Sequence, residues 1–404
     1  MNRTPLKLRA AFALCALVTV AFAQADEASP APLHGFQVVY QFNSNDDGRD
    51  GVHPQGGVLT LPDGSLIGTT NLSGAHKKGV IYRIALPGGA ETVVHDFKSS
   101  EGEGQYQPLV LASDGHVYGV SMFGGPSYAG TVWRIDPDGS HFTVVHAFAY
   151  SDVAYSPSSP LVEGSDGNLY GATAGSETHG AIYRMTPAGD VTVVHAFAVD
   201  GSEGYTPGAL LLTADGDLYG TARSGGTLGG GTFYRLKQDG SFQVLHNFDA
   251  TAEGALPFGR FVQAPDGSFY GVARHDGPRG WGTAWHLAPD GALTVLHAFG
   301  NDPGEGSSPV GLTRLADGTF YGTTDAGGAD AGDGFGFGTV YKMNARGKVT
   351  VLHRFRNRYG GHHPSDQALA LGTDGRLYGT CWQGGRHLTW HLEGGMGTVY
   401  RFTP

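Results

Sequence analysis

Arginine, histidine and tryptophan concentrate in two segments of this chain, at residues 274–281 and 382–391. The candidate side chains in these segments are Arg274, His275, Arg279, Trp281, Trp382, Arg386, His387, Trp390 and His391. Flat aromatic rings cover the CH faces of sugars, and arginine pairs with carboxylates or sulfates. Histidine transfers protons near neutral pH. This combination indicates a binding site for an acidic carbohydrate.

The reaction that these side chains favour is β-elimination from a uronic-acid polymer. An arginine neutralises the sugar carboxylate and so acidifies the C5 proton, which a histidine or tyrosine removes. A second such group protonates the leaving oxygen O4. We assign the proton transfers to His275 and His387, and we predict a polysaccharide lyase. Tyr359 and His363, which precede the last repeat, are added to the substrate-binding set.

Other functions stay open at this level. A glycoside hydrolase would need two carboxylates about 5 Å apart, or about 6.5–9.5 Å apart for inversion. Asp276, Asp366 and Glu393 could supply such a pair. A non-catalytic glycan- or protein-binding protein, or a structural envelope protein, needs neither arrangement.

A repeat in the sequence predicts the strands and turns that hold these residues in position. An Asp-Gly pair followed closely by another glycine occurs seven times, at intervals of 49 to 57 residues. The aspartates of these pairs are Asp63, Asp114, Asp166, Asp215, Asp266, Asp317 and Asp374. A period of roughly 40–50 residues is typical of stacked units such as propeller blades, which cannot bury their apolar faces alone.

Each repeat has the pattern of four short strands. In the third repeat, residues 160–197, Asp-Gly and Pro-Ala-Gly each separate two apolar runs and predict tight hairpins. Hairpins one and three lie at one end of a four-stranded blade, so connections two and four lie at the other end. The candidate residues fall on these longer connections, in blades five and seven, and His53 lies in the connection to blade one.

The two ends of the chain predict how the ring closes. Six repeats end in His-x-Phe, residues 36–42 resemble that final strand, and the last repeat stops after its third strand. The N-terminal strand would then complete blade seven and remove both exposed edges. We predict an all-β, seven-bladed β-propeller with four antiparallel strands per blade over residues 36–404. The six histidines recur with the fold, so we interpret them as structural.

The repeated sequences also carry a family resemblance. Asp-Gly, Leu-Tyr-Gly-Thr, Gly-Thr-Val-Tyr-Arg and Thr-Val-Leu-His-x-Phe resemble the Gloeo/Verruco, or GloVer, tandem repeat of secreted bacterial proteins. The resemblance covers about residues 36–404. It implies an exported, propeller-like protein, and no settled activity accompanies this family.

The first 25 residues predict export. Three basic residues precede an apolar run at 10–23, and Ala23-Gln24-Ala25 forms a small-x-small cleavage site. We therefore expect a signal peptide at 1–25, a linker at 26–35 and a secreted or periplasmic protein whose partner is an extracellular polysaccharide. No later apolar stretch approaches the roughly 20 residues that cross a bilayer, so membrane insertion is not expected.

The composition of the chain restricts which other classes of partner are expected. The chain has 26 Lys+Arg against 37 Asp+Glu, a formal net charge of −11, which disfavours a nucleic-acid partner. Cleavage of the signal removes Cys15 and leaves Cys381, so no intramolecular disulfide forms, and we expect a monomer. Residues 43–50 resemble the start of a calcium loop, but Asn43 replaces its first Asp and Pro54 its final Glu. The cofactor stays unknown, with a structural calcium as one option.

Overall fold

A computed structural model describes residues 35–42, 49–152, 154–175, 179–300, 302, 304–328, 336–355, 361–385 and 395–404. Within these ranges the chain forms 29 β-strands and no helix. The strands form seven antiparallel sheets arranged as the blades of a ring, within the compact unit His34–Pro404. The predicted seven-bladed propeller is confirmed.

Strand β1 (Phe36–Gln41) precedes the blades in the chain. Blades one to three consist of β2 (Val58–Thr60), β3 (Leu66–Thr69), β4 (Val80–Ala85) and β5 (Ala90–Asp96); β6 (Val110–Leu111), β7 (Val117–Ser121), β8 (Thr131–Ile135) and β9 (Thr143–Ala147); and β10 (Val162–Glu163), β11 (Leu169–Thr173), β12 (Ala181–Met185) and β13 (Val191–Ala196). In each blade the first strand lies towards the centre of the ring.

Blades four to six have longer first strands. They consist of β14 (Tyr205–Leu212), β15 (Leu218–Ser224), β16 (Gly229–Leu236) and β17 (Phe242–Asp249); β18 (Ala255–Gln263), β19 (Phe269–His275), β20 (Thr283–Leu287) and β21 (Leu293–Ala298); and β22 (Ser307–Arg314), β23 (Phe320–Ala326), β24 (Thr339–Met343) and β25 (Val349–Arg354). The pairing of each long first strand contains a register shift. Such irregularities bend a strand and redirect its side chains.

Blade seven contains both ends of the propeller chain. Its strands are β26 (His362–Pro364) and β27 (Ala370–Leu371), which both pair with β28 (Leu377–Gln383), then β29 (Thr398–Phe402) and finally β1. Phe36 pairs with Phe402 and Gln41 pairs with Thr398 in an antiparallel register. The predicted closure by the N-terminal strand is therefore confirmed.

The glycine of each second strand makes room for one aromatic ring. In blade three, a Cβ at Gly171 would lie 2.4 Å from the hydroxyl oxygen of Tyr183, which is fully buried on the third strand. The other blades repeat this arrangement, with the closest ring atom 2.2 to 2.5 Å from the Cβ position. The repeated glycine is therefore required by packing inside the blade.

The His-x-Phe histidines connect consecutive blades. In four blades the imidazole Nε2 lies 2.8 to 3.1 Å from a glutamate in the next connection. The pairs are His95 with Glu101, His195 with Glu203, His246 with Glu253, and His297 with Glu305. The phenylalanine two residues later is buried, with Phe197 2 % exposed. These contacts give the repeated histidines a structural role.

The order of the strands divides the ring into two faces. The Asp-Gly turns and the turns between third and fourth strands lie on one side, which we call the turn face. The connections between second and third strands, and those between blades, lie on the other side, which we call the loop face. The second strand of every blade runs from the turn face to the loop face.

Candidate functional site

A cavity of about 690 Å³ lies at the centre of the ring. The first strand of every blade, or residues beside it, lines this central cavity. Its charged lining residues are Glu163, Arg223, Arg260, Arg314 and Asp366. The volume falls within the range of about 300–1,000 Å³ that is typical of small-molecule sites. The cavity is therefore a candidate binding site for a ligand.

One position in the repeat supplies polar side chains on the loop face beside the cavity, and one of them, Arg223, lines the cavity. This position is the third residue after the glycine of the second strand. From blade one to blade seven, this position holds Asn71, Met122, Ala174, Arg223, Arg274, Asp325 and Trp382. Blades four to seven thus present two arginines, an aspartate and a tryptophan in consecutive order. Together with Asp366, His363 and Phe258, these four residues form what we call the mouth cluster.

Arg274 connects three blades within the mouth cluster. One terminal nitrogen of its guanidinium lies 2.7 Å from Oδ1 of Asp366, and the other lies 2.7 Å from Oδ2 of Asp325. Burial alone would lower the pKa of Arg274, but the two carboxylates outweigh this effect and raise the pKa. Its guanidinium carbon also lies 4.8 Å from the ring centre of Phe258. Arg274 is therefore held by protein groups on several sides.

The two carboxylates that bind Arg274 differ in acidity. Burial raises the pKa of Asp366, an effect that Arg274 only partly offsets, although 39 % of the side chain is exposed to the cavity. Burial also opposes ionisation of Asp325, but hydrogen bonds from His363 and Arg274 outweigh it and lower the pKa. Two neighbouring acids whose pKa values shift in opposite directions are typical of an acid–base pair.

Asp325 fixes the orientation of His363. The Nδ1 atom of His363 lies 3.0 Å from the backbone oxygen of Asp325 and 3.4 Å from its Oδ1. The hydrogen bond to Asp325 raises the pKa of His363. A proton held on Nδ1 by these acceptors leaves Nε2 of the neutral ring as a base. The centre of the Trp382 ring lies 5.5 Å from that of His363.

The backbone of His363 has a positive φ of 54°. Five other blades have a non-glycine residue with a similar φ before the same proline: His53, Ser156, Thr206, Leu256 and Ser308. In blades seven and one, the N–H of this residue donates to a carbonyl of the preceding blade at 2.9 Å. The conformation therefore belongs to the fold, and only the choice of histidine is specific to the site.

Arg223 is the arginine of the mouth cluster that no carboxylate holds. Its guanidinium carbon lies 4.7 Å from the ring centre of Phe258. Among the residues that the structure describes, no hydrogen bond or ion pair involves its guanidinium. Burial lowers the pKa of Arg223, and the field of nearby Asp366 only partly opposes this. A desolvated guanidinium in this state is suited to binding an anionic ligand.

The structure brings three predicted site residues together: Arg274, His363 and Trp382. The Trp382 ring also meets His53 of blade one edge-on, with ring centres 5.7 Å apart. Residues of blades five, seven and one therefore lie close together on the loop face. His275 follows Arg274 with an exposed side chain, and burial and the Arg274 charge lower its pKa.

Two predicted residues of blade five have different surroundings. A nitrogen of Arg279 lies 3.3 Å from the carbonyl oxygen of Ala298, and the Trp281 ring packs on Gly300. No contact among the described residues joins either one to Arg274. The remaining predicted residues, Tyr359, Arg386, His387, Trp390 and His391, lie outside the described residues, as do residues 43–48 of the calcium-loop candidate.

Sequence reasoning missed Arg223, Asp325 and Phe258. Arg223 and Asp325 sit at the same repeat position as Arg274 and Trp382, so an alignment of the seven repeats on their glycines would have grouped all four. Phe258 carries no such signal, because it is one of many apolar residues on first strands. Its place follows from the register shift between Phe258 and Val262.

The described residues show no group of three or more His, Cys, Asp or Glu side chains arranged to hold a metal ion. They also include no helix with the length and apolar character needed to cross a membrane.

The fold and the mouth cluster together define a seven-bladed β-propeller with a polar site at one end of its central cavity. The chain belongs to the Gloeobacter/Verrucomicrobia repeat family, whose model matches residues 29–174 and 206–404. A search of the curated proteins gives no significant match.

Several solved structures are distant structural neighbours. A luciferin-regenerating enzyme is 15% identical, with a TM-score of 0.48 over 76% of this chain and 92% of that one. A gluconolactonase from Xanthomonas campestris is 18% identical, with a TM-score of 0.43 over 68% of this chain and 79% of that one. A calcium-binding regucalcin from Agrobacterium tumefaciens is 15% identical, with a TM-score of 0.45 over 91% and 94%. The likeness concerns the fold alone.

Proposed function

We propose that this protein binds an acidic polysaccharide at the mouth cluster and cleaves it by β-elimination. One observation carries the proposal: Arg223, a guanidinium without a carboxylate partner among the described residues, shares the cluster with His363, an imidazole oriented by Asp325. The first group suits a uronate carboxylate, and the second suits proton transfer. Trp382 supplies a flat ring for a sugar face.

The reaction begins with recognition of the sugar acid. Arg223 pairs with the uronate carboxylate and withdraws its negative charge, which acidifies the proton on C5. Arg274 cannot take this role while Asp325 and Asp366 occupy its terminal nitrogens. It acts instead as a positioning residue that fixes the two carboxylates relative to each other.

His363 then performs the proton transfers. Its Nε2 accepts the C5 proton, the C–H electron pair forms a double bond between C4 and C5, and the C4–O4 bond breaks. The resulting imidazolium, stabilised by Asp325, donates a proton to the departing O4. Protons and electrons balance within this sequence, and no external acid is required.

A second candidate is hydrolysis by Asp325 and Asp366. It is favoured by the opposite pKa shifts of these two carboxylates on one guanidinium. In this case Asp366, whose pKa is raised, would protonate the leaving oxygen, and ionised Asp325 would serve as nucleophile or base.

The test incubates the purified protein with a panel of acidic polysaccharides and follows two signals. Elimination produces an unsaturated uronate with a new ultraviolet absorbance, whereas hydrolysis produces reducing ends without it. We expect His363→Asn to lower kcat by at least about 100-fold, and asparagine tolerates a positive φ, so the fold should persist. Arg223→Ala should raise KM and lower kcat.

Arg376→Ala is the matched control, because Arg376 lies on the turn face beside its partner Asp374. It should behave as wild type. Reducing ends without the new ultraviolet absorbance would show that the reaction is hydrolysis and not elimination. Binding without either signal would make the protein a non-catalytic binder, and equal binding by wild type and Arg223→Ala would overturn the site assignment.

Export is part of the same proposal, because polysaccharides of this kind lie outside the cell. Residues 1–25 have the pattern of a signal peptide and lie outside the described residues. N-terminal sequencing of the protein released by a bacterial host should find a new terminus after Ala25. An intact N-terminus in the cytoplasm would contradict export.

A further inference from the structure

The turn-face end of the central cavity contains two more arginines. Arg260 on β18 and Arg314 on β22 both line the central cavity and also an adjoining cavity of about 290 Å³ between blades four, five and six. Arg223 lines the central cavity at its other end. One continuous space therefore connects the mouth cluster with a second pair of cations.

The repeat shows that Arg260 is not needed by the blade. Its position is six residues before the aspartate of each Asp-Gly turn. The other blades place Gly57, Pro108, Pro160, Ala209, Gly311 and Ala368 there. These side chains are small or cyclic, so at this position of the repeat only blade five places a long cationic side chain in the cavity. A residue that differs from its counterparts in the other repeats, and that packing does not require, indicates a role in ligand binding.

No acidic side chain among the described residues is bonded to Arg260 or Arg314. The walls of the cavity lower the pKa of Arg260 by partial desolvation, with no charged neighbour contributing, although its side chain is exposed to the cavity. Arg314 lies near Asp317 and over the ring of Phe320, 6.0 Å from its centre. The Arg260 side chain is accessible from the cavity, so an anionic ligand that enters the cavity can pair with its guanidinium.

The two acidic residues that line the cavity are engaged elsewhere. Both carboxylate oxygens of Glu163 accept the backbone N–H of Ser113, at 3.0 and 2.8 Å. Asp366 binds Arg274 at 2.7 Å. The charges that remain available to a ligand inside the cavity are therefore positive, although the whole chain carries a formal net charge of −11.

We propose that Arg260 and Arg314 form a second anion subsite, so that an acidic oligosaccharide end enters the central cavity and binds cations at both levels. The inference rests on the proposed function for its ligand class. A uronate at the mouth cluster places its carboxylate on Arg223, and a sugar further along the same chain places its carboxylate on Arg260 and Arg314. A cavity of about 690 Å³ holds a short chain end.

Isothermal titration calorimetry with two oligogalacturonides tests the subsite. A dimer is short enough to occupy the mouth cluster alone, whereas a hexamer reaches both levels. Arg260→Gln keeps much of the side-chain length and removes the charge. We expect it to weaken hexamer binding by about 10-fold, or about 1.4 kcal/mol, and to leave dimer binding unchanged. Arg314→Gln should act in the same direction.

Two controls separate this inference from the proposed function. Arg346→Gln removes an exposed arginine from the turn face of blade six and should change neither affinity. Arg223→Ala should weaken both ligands. If Arg260→Gln leaves hexamer binding unchanged while Arg223→Ala weakens both ligands, the second subsite is overturned and the mouth site stands. If Arg223→Ala has no effect on either ligand, the proposed function fails first.

Two further measurements complete the test. Because Arg260 is exposed to the cavity and has no carboxylate partner among the described residues, Arg260→Gln should melt at about the wild-type temperature, which excludes unfolding as a cause of weaker binding. Inorganic phosphate is the alternative ligand. Phosphate binding that depends on Arg260, with hexamer binding independent of it, would assign the subsite to a small anion and overturn the oligosaccharide path.

Discussion

Replacing Phe42 by alanine tests whether the N-terminal strand is a full member of blade seven. Phe42 follows β1 and is 1 % exposed. Its ring centre lies 4.9 Å from that of Tyr82 in blade one, and its N–H donates to the carbonyl oxygen of Gly397 at 3.1 Å. The side chain therefore joins the first and last blades.

The magnitude follows from burial. Truncating a fully buried phenylalanine costs about 3–5 kcal/mol, because the transfer free energy is lost and a cavity remains. Phe197 provides the matched comparison, since it directly follows the fourth strand of blade three, is 2 % exposed, and its ring centre lies 5.3 Å from that of Tyr234 in the next blade. Phe42→Ala and Phe197→Ala should therefore lower the free energy of unfolding by the same amount within about 1 kcal/mol.

Urea denaturation followed by tryptophan fluorescence and by far-ultraviolet circular dichroism measures both variants. Val193→Ala, at a position 37 % exposed on β13, is the control and should stay within about 0.5 kcal/mol of wild type. The reasoning is refuted if Phe197→Ala is strongly destabilised and Phe42→Ala behaves like the control. That result would mean that β1 contributes little to the closed ring.

Three further outcomes are expected. Burial, with the Asp50 carboxylate nearby, raises the pKa of Glu91 from 4.5 to about 7. Because the pKa of this carboxyl group is raised in the folded state, the folded protein loses stability as pH rises through this interval. Glu91→Gln should make the melting temperature less dependent on pH between these values. At pH above about 7 it should stabilise the protein by on the order of 1 kcal/mol, after allowance for solvent screening. Gly171→Ala should destabilise by about 1–3 kcal/mol in thermal unfolding, because its Cβ would meet the Tyr183 hydroxyl oxygen at 2.4 Å; an unshifted melting curve would contradict that packing. Asp166→Ala removes the acceptor of the Asn168 N–H on the turn face and should cost about 1 kcal/mol in urea denaturation with unchanged oligosaccharide affinity; selective loss of affinity would contradict the face assignment.

The architecture could be predicted because each repeated residue has the same environment in every blade. Gly171 has one role, which is to admit the Tyr183 ring, and its counterparts admit the corresponding rings. The strand near Phe42 could be assigned to blade seven because its pattern matches a fourth strand that the last repeat lacks. Repetition turns seven weak local signals into one strong prediction.

The candidate site was harder to predict, because composition identifies loops but not which of their residues meet. Arg274 and Trp281 belong to one loop segment, yet Arg274 binds Asp366 while Trp281 packs on Gly300. Arg223 was overlooked because its loop is short and resembles the others. Its contact with Phe258 depends on the path of β18, and the register shift of that strand has no distinct signature in the sequence.

Comparison of equivalent positions distinguishes residues that the fold needs from residues that it does not. The third position after the second-strand glycine tolerates Ala174, Met122 and Arg223, so the blade imposes no side chain there. The position of Arg260 holds a small residue or a proline in the other six blades. Arg223 and Arg260 occupy these two unconstrained positions, neither has an acidic partner among the described residues, and both line one cavity. Since ion pairing accounts for neither arginine, the binding of an anion is the explanation that fits both.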